Sequence, residues 1–348
     1  MTLIYQVRSH PLGPRQSGIQ FIVSLFFTLF YDKALIVAVP DTKIIAFCCR
    51  TWHAADPPEK TESEFSSMNK IGFNLLVWNA VASSELFPSI EKLKKIGYDG
   101  IEFSMGNRDP SAYVEIGKLL ADLEMEATAV NAPTAEANPA SPDPAVRRAA
   151  VERHKQDIDM ATAAGVKVLC GPLHSAFAEF TRKPPSEDEY KYSAETLQQI
   201  GEHAQQAGVV IAVEAINRFE CYLCNTMQQL KKVVELANHP AVKAVFDTHH
   251  ANIEEKSFED AIDTISPHLA HVHISENDRG TPGKGHIPFD RIFQKLKSTG
   301  YSGWYTIESF SRNDVEFANA INVWREYSDS WEIAEAGYQF IKSQIEKS

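Results

Sequence analysis

The sequence predicts an α/β fold, and within that class a (β/α)8 barrel, on three observations. From Met68 onward, short apolar runs rich in β-branched and aromatic residues alternate with stretches of helical periodicity. The runs and the helical stretches number eight each over roughly 280 residues, which is the size of a closed eight-stranded barrel. No Gly-x-Gly-x-x-Gly follows the first strand, so a doubly wound dinucleotide-binding sheet loses its main support. In chain order the strands are expected over 71–77, 100–103, 127–130, 166–170, 209–214, 242–247, 270–274 and 304–308. The helices between them are expected near 86–95, 111–123, 144–164, 187–207, 227–237, 257–265 and 289–298, with a long C-terminal one from about 315.

The region before Met68 differs in kind. It holds six basic and six acidic residues, so the whole net charge of −12 belongs to the rest of the 348-residue chain. Its apolar runs, 21–31 and 34–39, are too short to span a bilayer, which takes about 20 residues. With Arg8 and Arg15 upstream, the first run could be the core of an export signal, but no small-x-small cleavage site follows closely. Residues 54–67 are polar, with two prolines and no period. The preferred reading is a poorly ordered extension over 1–67, a catalytic barrel over 68–348 and a cytoplasmic protein.

Composition narrows the partners. Acidic residues outnumber basic ones 46 to 34, which opposes nucleic-acid binding, including an abasic-site endonuclease that would need a basic groove. Five scattered cysteines, Cys48, Cys49, Cys170, Cys221 and Cys224, fit reduced thiols rather than a disulfide scaffold. Cys221-x-x-Cys224 looks like half of a zinc site, but no second pair has suitable spacing.

Chemistry in such barrels sits at the C-terminal strand ends. Strand five ends Ile-Ala-Val-Glu214, strand six Ala-Val-Phe-Asp247, strand seven His271-Val-His273 and strand eight Tyr-Thr-Ile-Glu308. Three carboxylates converging in one mouth would raise one another's pKa values unless a cation neutralised them. Glu214, Asp247, His273 and Glu308 are therefore the candidate metal ligands, with His273 preferred over His271 because it lies nearer the strand end. Three oxygens and one imidazole nitrogen suit Mn²⁺ or Co²⁺, with Mg²⁺ or Zn²⁺ also admissible.

The segments Glu214-Ala-Ile-Asn-Arg-Phe-Glu220, Asp247-Thr-His-His-Ala-Asn-Ile-Glu-Glu255 and His273-Ile-Ser-Glu-Asn-Asp-Arg279, then Pro282-Gly-Lys-Gly285 and Glu308, resemble the ketose 3-epimerases. These include the D-tagatose and D-psicose 3-epimerases among the xylose isomerase-like TIM barrels. The resemblance runs from about Met68 to the C-terminus, in order and with matching spacings. It implies the same four metal ligands and adds Glu220, His250 and Arg279 as substrate-binding residues. It also implies C3 epimerisation of a free ketose through an enediolate, with Glu214 and Glu308 alternating as general base and general acid. Phe177 stands where the group commonly carries a tryptophan against the sugar, and His249 where an aromatic is usual. Asn131 lies near a position where some members have a small residue. These departures leave the preferred ketose open, and Lys284 keeps a sugar phosphate in view.

Two alternatives use or abandon the same site. An aldose–ketose or hydroxypyruvate-type isomerase, or a keto-sugar lyase or dehydratase, would share the metal and the carboxylate pair. A catalytically silent sugar-binding barrel would bind without proton exchange. Barrels of this kind often form dimers or tetramers, and Trp324, Trp331, Tyr338 and Phe340 near the C-terminus would supply an interface or pack on the barrel.

Overall fold

Eight parallel strands close on themselves in chain order, β1 pairing with both β2 and β8. They are β1 Lys70–Asn74, β2 Gly100–Ser104, β3 Glu126–Val130, β4 Val168–Gly171, β5 Val210–Glu214, β6 Val242–Asp247, β7 Leu269–Ile274 and β8 Trp304–Ile307. This computed structural model describes residues 69–348, and the extension expected over 1–67 lies outside the described residues. The predicted barrel is therefore observed.

Helices cover the barrel in the expected order: α1 Phe87–Ile96, α2 Pro110–Asp122, α3 Pro144–Ala163, α4 Glu187–Ala207 and α5 Met227–Ala237. There follow α6 Thr248–Glu254, α7 Phe258–Ile265, α8 Phe289–Ser298, α9 Val315–Ala320 and α10 Ser330–Lys347. Local chemistry sets their starts. Asp109 and Asp143 each cap a helix whose first residue is proline, a position where no backbone donor is lost. Ser186 with Glu189, and Thr226 with Gln229, form reciprocal capping boxes at α4 and α5.

Three elements depart from the expectation. The first strand ends at Asn74, because the Asn74 side chain accepts the Leu76 amide and turns Leu75–Val77 into a 3-10 turn. A short helix, α6, begins directly after β6, capped by Asp247 itself. The single C-terminal helix from about 315 is two helices. Asn322 at φ 61° breaks the chain after α9, and Asp329 restarts it by accepting the Trp331 and Glu332 amides.

The core lies in two layers, the barrel interior and the strand–helix interface. Close approach there requires glycine at Gly100, where a Cβ would stand 2.6 Å from the Trp304 ring and 2.5 Å from the Glu126 carbonyl oxygen. Helix α10 packs on the barrel: Trp331 meets Trp78 at 4.7 Å, Tyr338 meets Tyr98 at 5.1 Å and Phe340 meets Phe289 at 5.2 Å between ring centroids. Trp324 lies between α9 and α10 and is 66% exposed. Among the described residues, no helix is long and apolar enough to cross a membrane.

Candidate metal centre and active site

Strand ends bring the four candidate ligands together. Glu214 closes β5, Asp247 closes β6 opposite His273 of β7, and Glu308 directly follows β8, its amide still donating to the Ile274 carbonyl at 3.2 Å. One ligand atom from each of Glu214, Asp247, His273 and Glu308 lies within 4.8 Å of the others, and all four side chains are buried. His273 Nδ1 faces the group, 3.1 Å from Glu214 Oε1, 3.7 Å from Glu308 Oε2 and 3.9 Å from Asp247 Oδ2.

The charge of this cluster is not balanced by its own partners. Burial first, and the neighbouring carboxylates Glu308 and Asp247 with it, push Glu214 up to about 8 against the opposing pull of His273. Glu308 is raised as well, again mainly by burial. Arg279 supplies one positive charge: Nη1 lies 2.9 Å from Glu308 Oε2 and 3.2 Å from Asp247 Oδ2 and donates to Ser275 Oγ at 2.7 Å. To reach in, Arg279 adopts φ 62°, an unusual backbone angle for a non-glycine residue, and its guanidinium lies 4.6 Å over the Phe310 ring. Three buried carboxylates and an inward imidazole nitrogen against one guanidinium make a donor set that fits a divalent cation.

The expected substrate residues surround the same space. His250 Nε2 lies 3.0 Å from Arg279 Nη2, and its Nδ1 accepts the Asn217 backbone amide at 3.1 Å. Burial first and Arg279 second hold that ring well below the usual histidine range, hence neutral. Glu220 Oε2 lies 3.8 Å from His250 Nδ1, and burial raises its pKa. A cavity of about 140 Å³ has Glu214, Glu220, His250, Arg279 and Glu308 among its polar lining. Phe177, Leu76, Val130, Phe310 and Phe317 form the apolar walls. Asp247 and His273 do not line it and stand behind the two glutamates.

Other residues singled out in the sequence take different places. Asn131 lines the cavity, its amide held by a 2.7 Å hydrogen bond to buried Asp157. His249 Nδ1 lies 3.1 Å from the Glu276 carbonyl oxygen, and burial lowers its pKa to about 3. Lys284 points away from the cavity and pairs with Glu332 on α10. The Pro282-Gly-Lys-Gly285 loop wraps the Glu276 carboxylate, which accepts the Gly283 amide at 2.9 Å and the Ile287 amide at 3.2 Å. Cys221 and Cys224 are buried free thiols, the Cys221 thiol donating to backbone carbonyls.

Sequence reasoning missed Glu102, in the middle of β2 and fully buried. One oxygen accepts Asn74 Nδ2 at 2.8 Å and lies 2.9 Å from His273 Nε2, while the other accepts Thr128 Oγ1 at 2.8 Å and Cys170 Sγ at 3.1 Å. His271 Nε2 comes within 3.0 Å of the second oxygen without the alignment of a hydrogen bond. Burial opposes ionisation of Glu102, but His273 and His271 outweigh it and hold the carboxyl well below its ordinary range. A lone acid among apolar residues on a barrel strand was the available signal. Its partners come from four other strands, which no local pattern reveals.

Comparison with known proteins agrees with this fold. The family model of the xylose isomerase-like TIM barrel matches residues 90–343. The D-psicose 3-epimerase of Ruminiclostridium cellulolyticum is 31% identical over 264 residues, spanning 75% of this chain and 90% of that one. The chain belongs to the ketose 3-epimerases. A second relative of this epimerase chain, the L-ribulose 3-epimerase of Mesorhizobium japonicum, is 32% identical over 80% of this chain and 95% of its own. The crystal structure of D-allulose 3-epimerase from Methylomonas sp. in complex with D-allulose superposes with a TM-score of 0.74 at 29% identity. That match covers 80% of this chain and 98% of that one.

Proposed function

We propose that this epimerase-family chain inverts C3 of a free ketose of the D-tagatose, D-psicose, D-fructose or L-ribulose type, with Mn²⁺ or Co²⁺ held by Glu214, Asp247, His273 and Glu308. The relatives named for D-psicose and L-ribulose support that substrate class. When bound, the cation supplies Lewis acidity to the oxygens at C2 and C3 of the sugar. The observation that carries the reading is that, of the four candidate ligands, the two facing the cavity are both glutamates. Epimerisation needs a proton acceptor on one side of C3 and a donor on the other, and two carboxylates lining the cavity can exchange those roles.

The two glutamates move the proton, and the other residues bind and orient. Glu214 takes the C3 proton onto its carboxylate while Glu308 returns one from its own side, and the roles reverse for the other epimer. Arg279 and Glu220 hold sugar hydroxyls, and neutral His250 hydrogen-bonds the C2 oxygen. Phe177, Phe310 and Leu76 exclude water from the reacting carbons. A phosphorylated sugar lacks a partner: Arg279 is the cationic side chain lining the cavity among the described residues, and Asp247 and Glu308 already engage it.

Incubation of the metal-reconstituted protein with each of the four ketoses, followed by chromatographic identification of products, tests this. The C3 epimer is expected. An aldose product would replace the epimerase with an aldose–ketose isomerase on the same residues.

A further inference from the structure

We infer that Glu102 is a positioning residue of the metal centre. Its carboxylate fixes the Nε2–H of His273 so that Nδ1 is turned toward the strand-end carboxylates, where it would present its lone pair to a cation, and through Asn74 it sets the orientation of Glu308. This rests on the cation reading proposed above and adds a residue that takes no part in binding sugar or cation.

Hydrogen-bond capacity carries the inference. An ionised carboxylate has no proton to give and about four acceptor positions. Asn74 Nδ2, Thr128 Oγ1 and Cys170 Sγ occupy three at 2.8, 2.8 and 3.1 Å, leaving the fourth for His273 Nε2 at 2.9 Å. His273 is therefore the donor at Nε2, which turns Nδ1 toward the strand-end carboxylates, 3.1 Å from Glu214 Oε1, as the nitrogen placed to act as a ligand when it carries no proton. Glu102, His273 and Asn74 are fully buried. Register makes the arrangement rigid, with Asn74 and Thr128 directly opposite Glu102 on the strands to either side.

Asn74 extends the same control to the second glutamate. Its Oδ1 accepts the Leu76 amide at 2.9 Å, which turns the NH₂ group toward the barrel interior. One N–H reaches Glu102 and the other lies 3.3 Å from Glu308 Oε1. A single buried carboxylate thus orients one ligand histidine directly and one acid/base carboxylate at one remove.

The competing reading is a second cation on Glu102, Cys170, His271 and His273, whose ligand atoms also lie within 4.8 Å of one another. It would require His273 to surrender its Nε2 proton and Glu102 to release donors that already fill its oxygens.

Glu102→Gln preserves size but turns one acceptor oxygen into a donor facing other donors. In the full chain, its affinity for Mn²⁺ or Co²⁺, measured by chelator competition, should fall about 10- to 100-fold. Thr128→Val removes a donor to the same carboxylate without touching His273. It should lower the thermal midpoint yet leave metal affinity within about threefold, the effect of one neutral hydrogen bond. In wild-type protein loaded with Mg²⁺ or Zn²⁺, ¹⁵N-resolved NMR should find His273 protonated at Nε2, which decides the matter even if the glutamine variant does not fold. Unchanged affinity in Glu102→Gln, a proton at Nδ1, or a second equivalent of Co²⁺ with a thiolate charge-transfer band would each overturn the inference. Failure of the wild-type chain to bind any divalent cation would overturn the cation reading itself.

Discussion

Two buried polar layers sit one against the other inside this barrel, and they solve the burial of charge in opposite ways. The layer at the strand ends holds Glu214, Asp247 and Glu308 around a single guanidinium, Arg279, and its glutamates are pushed toward the protonated state, mainly by burial. The layer around Glu102 places one carboxylate among side-chain donors from β1, β3, β4 and β7, and its pKa is driven down. A self-satisfied carboxylate holds its neighbours in place. A cluster of carboxylates with raised pKa values is a donor set that fits a divalent cation.

Removing the cation should break the first layer and spare the second. Chelation is expected to abolish turnover, with Mn²⁺ or Co²⁺ restoring it, while far-ultraviolet circular dichroism stays that of a folded barrel. At cation concentrations 100 times the dissociation constant, the stability regained is about 2.7 kcal/mol, readable as a rise in thermal midpoint. The next largest effect belongs to the cavity-facing glutamates. Glu214→Gln and Glu308→Gln should each lower kcat by about 10³-fold in steady-state assays, the scale of a lost acid or base. Retained activity in either purified variant would refute the two-base assignment.

Arg279→Met sharpens the contrast further. Loss of its charged hydrogen bonds should reduce kcat/KM about 100-fold, equivalent to roughly 3 kcal/mol. Cation affinity, measured by calorimetry, should hold or increase, because the cluster becomes more negative. The smallest effect lies outside both layers. Burial lowers His174 to about 3, so the unfolded chain binds more protons than the folded one between that value and about 6.5. This contribution is complete above about pH 6.5 and is lost as pH falls, by about 2 kcal/mol at pH 5. Thermal midpoints of His174→Gln should therefore decline less steeply from pH 7 to pH 5 than those of the wild type.

The strand-end layer was legible in the sequence because each candidate ligand closes an apolar run, and the run itself announces the strand. Glu214, Asp247 and Glu308 could be placed from that alone, and the barrel topology brought them together. Glu102 was not legible, since its significance lies in cross-strand register with Asn74 and Thr128 and in a reach across the barrel to His273. Boundaries failed where one side chain redirects the backbone: Asn74 ended β1 early, and Asn322 split the C-terminal helix. Lys284 kept a sugar phosphate in view because the sequence shows its loop but not Glu332, with which it pairs on α10.

The most direct measurement is the position of deuterium in sugar recovered after incubating the metal-loaded protein in D₂O with D-psicose, D-fructose, D-tagatose or L-ribulose. Label at C3 accompanied by the C3 epimer is expected if Glu214 and Glu308 exchange the proton there. Label at C1 with an aldose product, or interconversion without any solvent deuterium at C3, would contradict it.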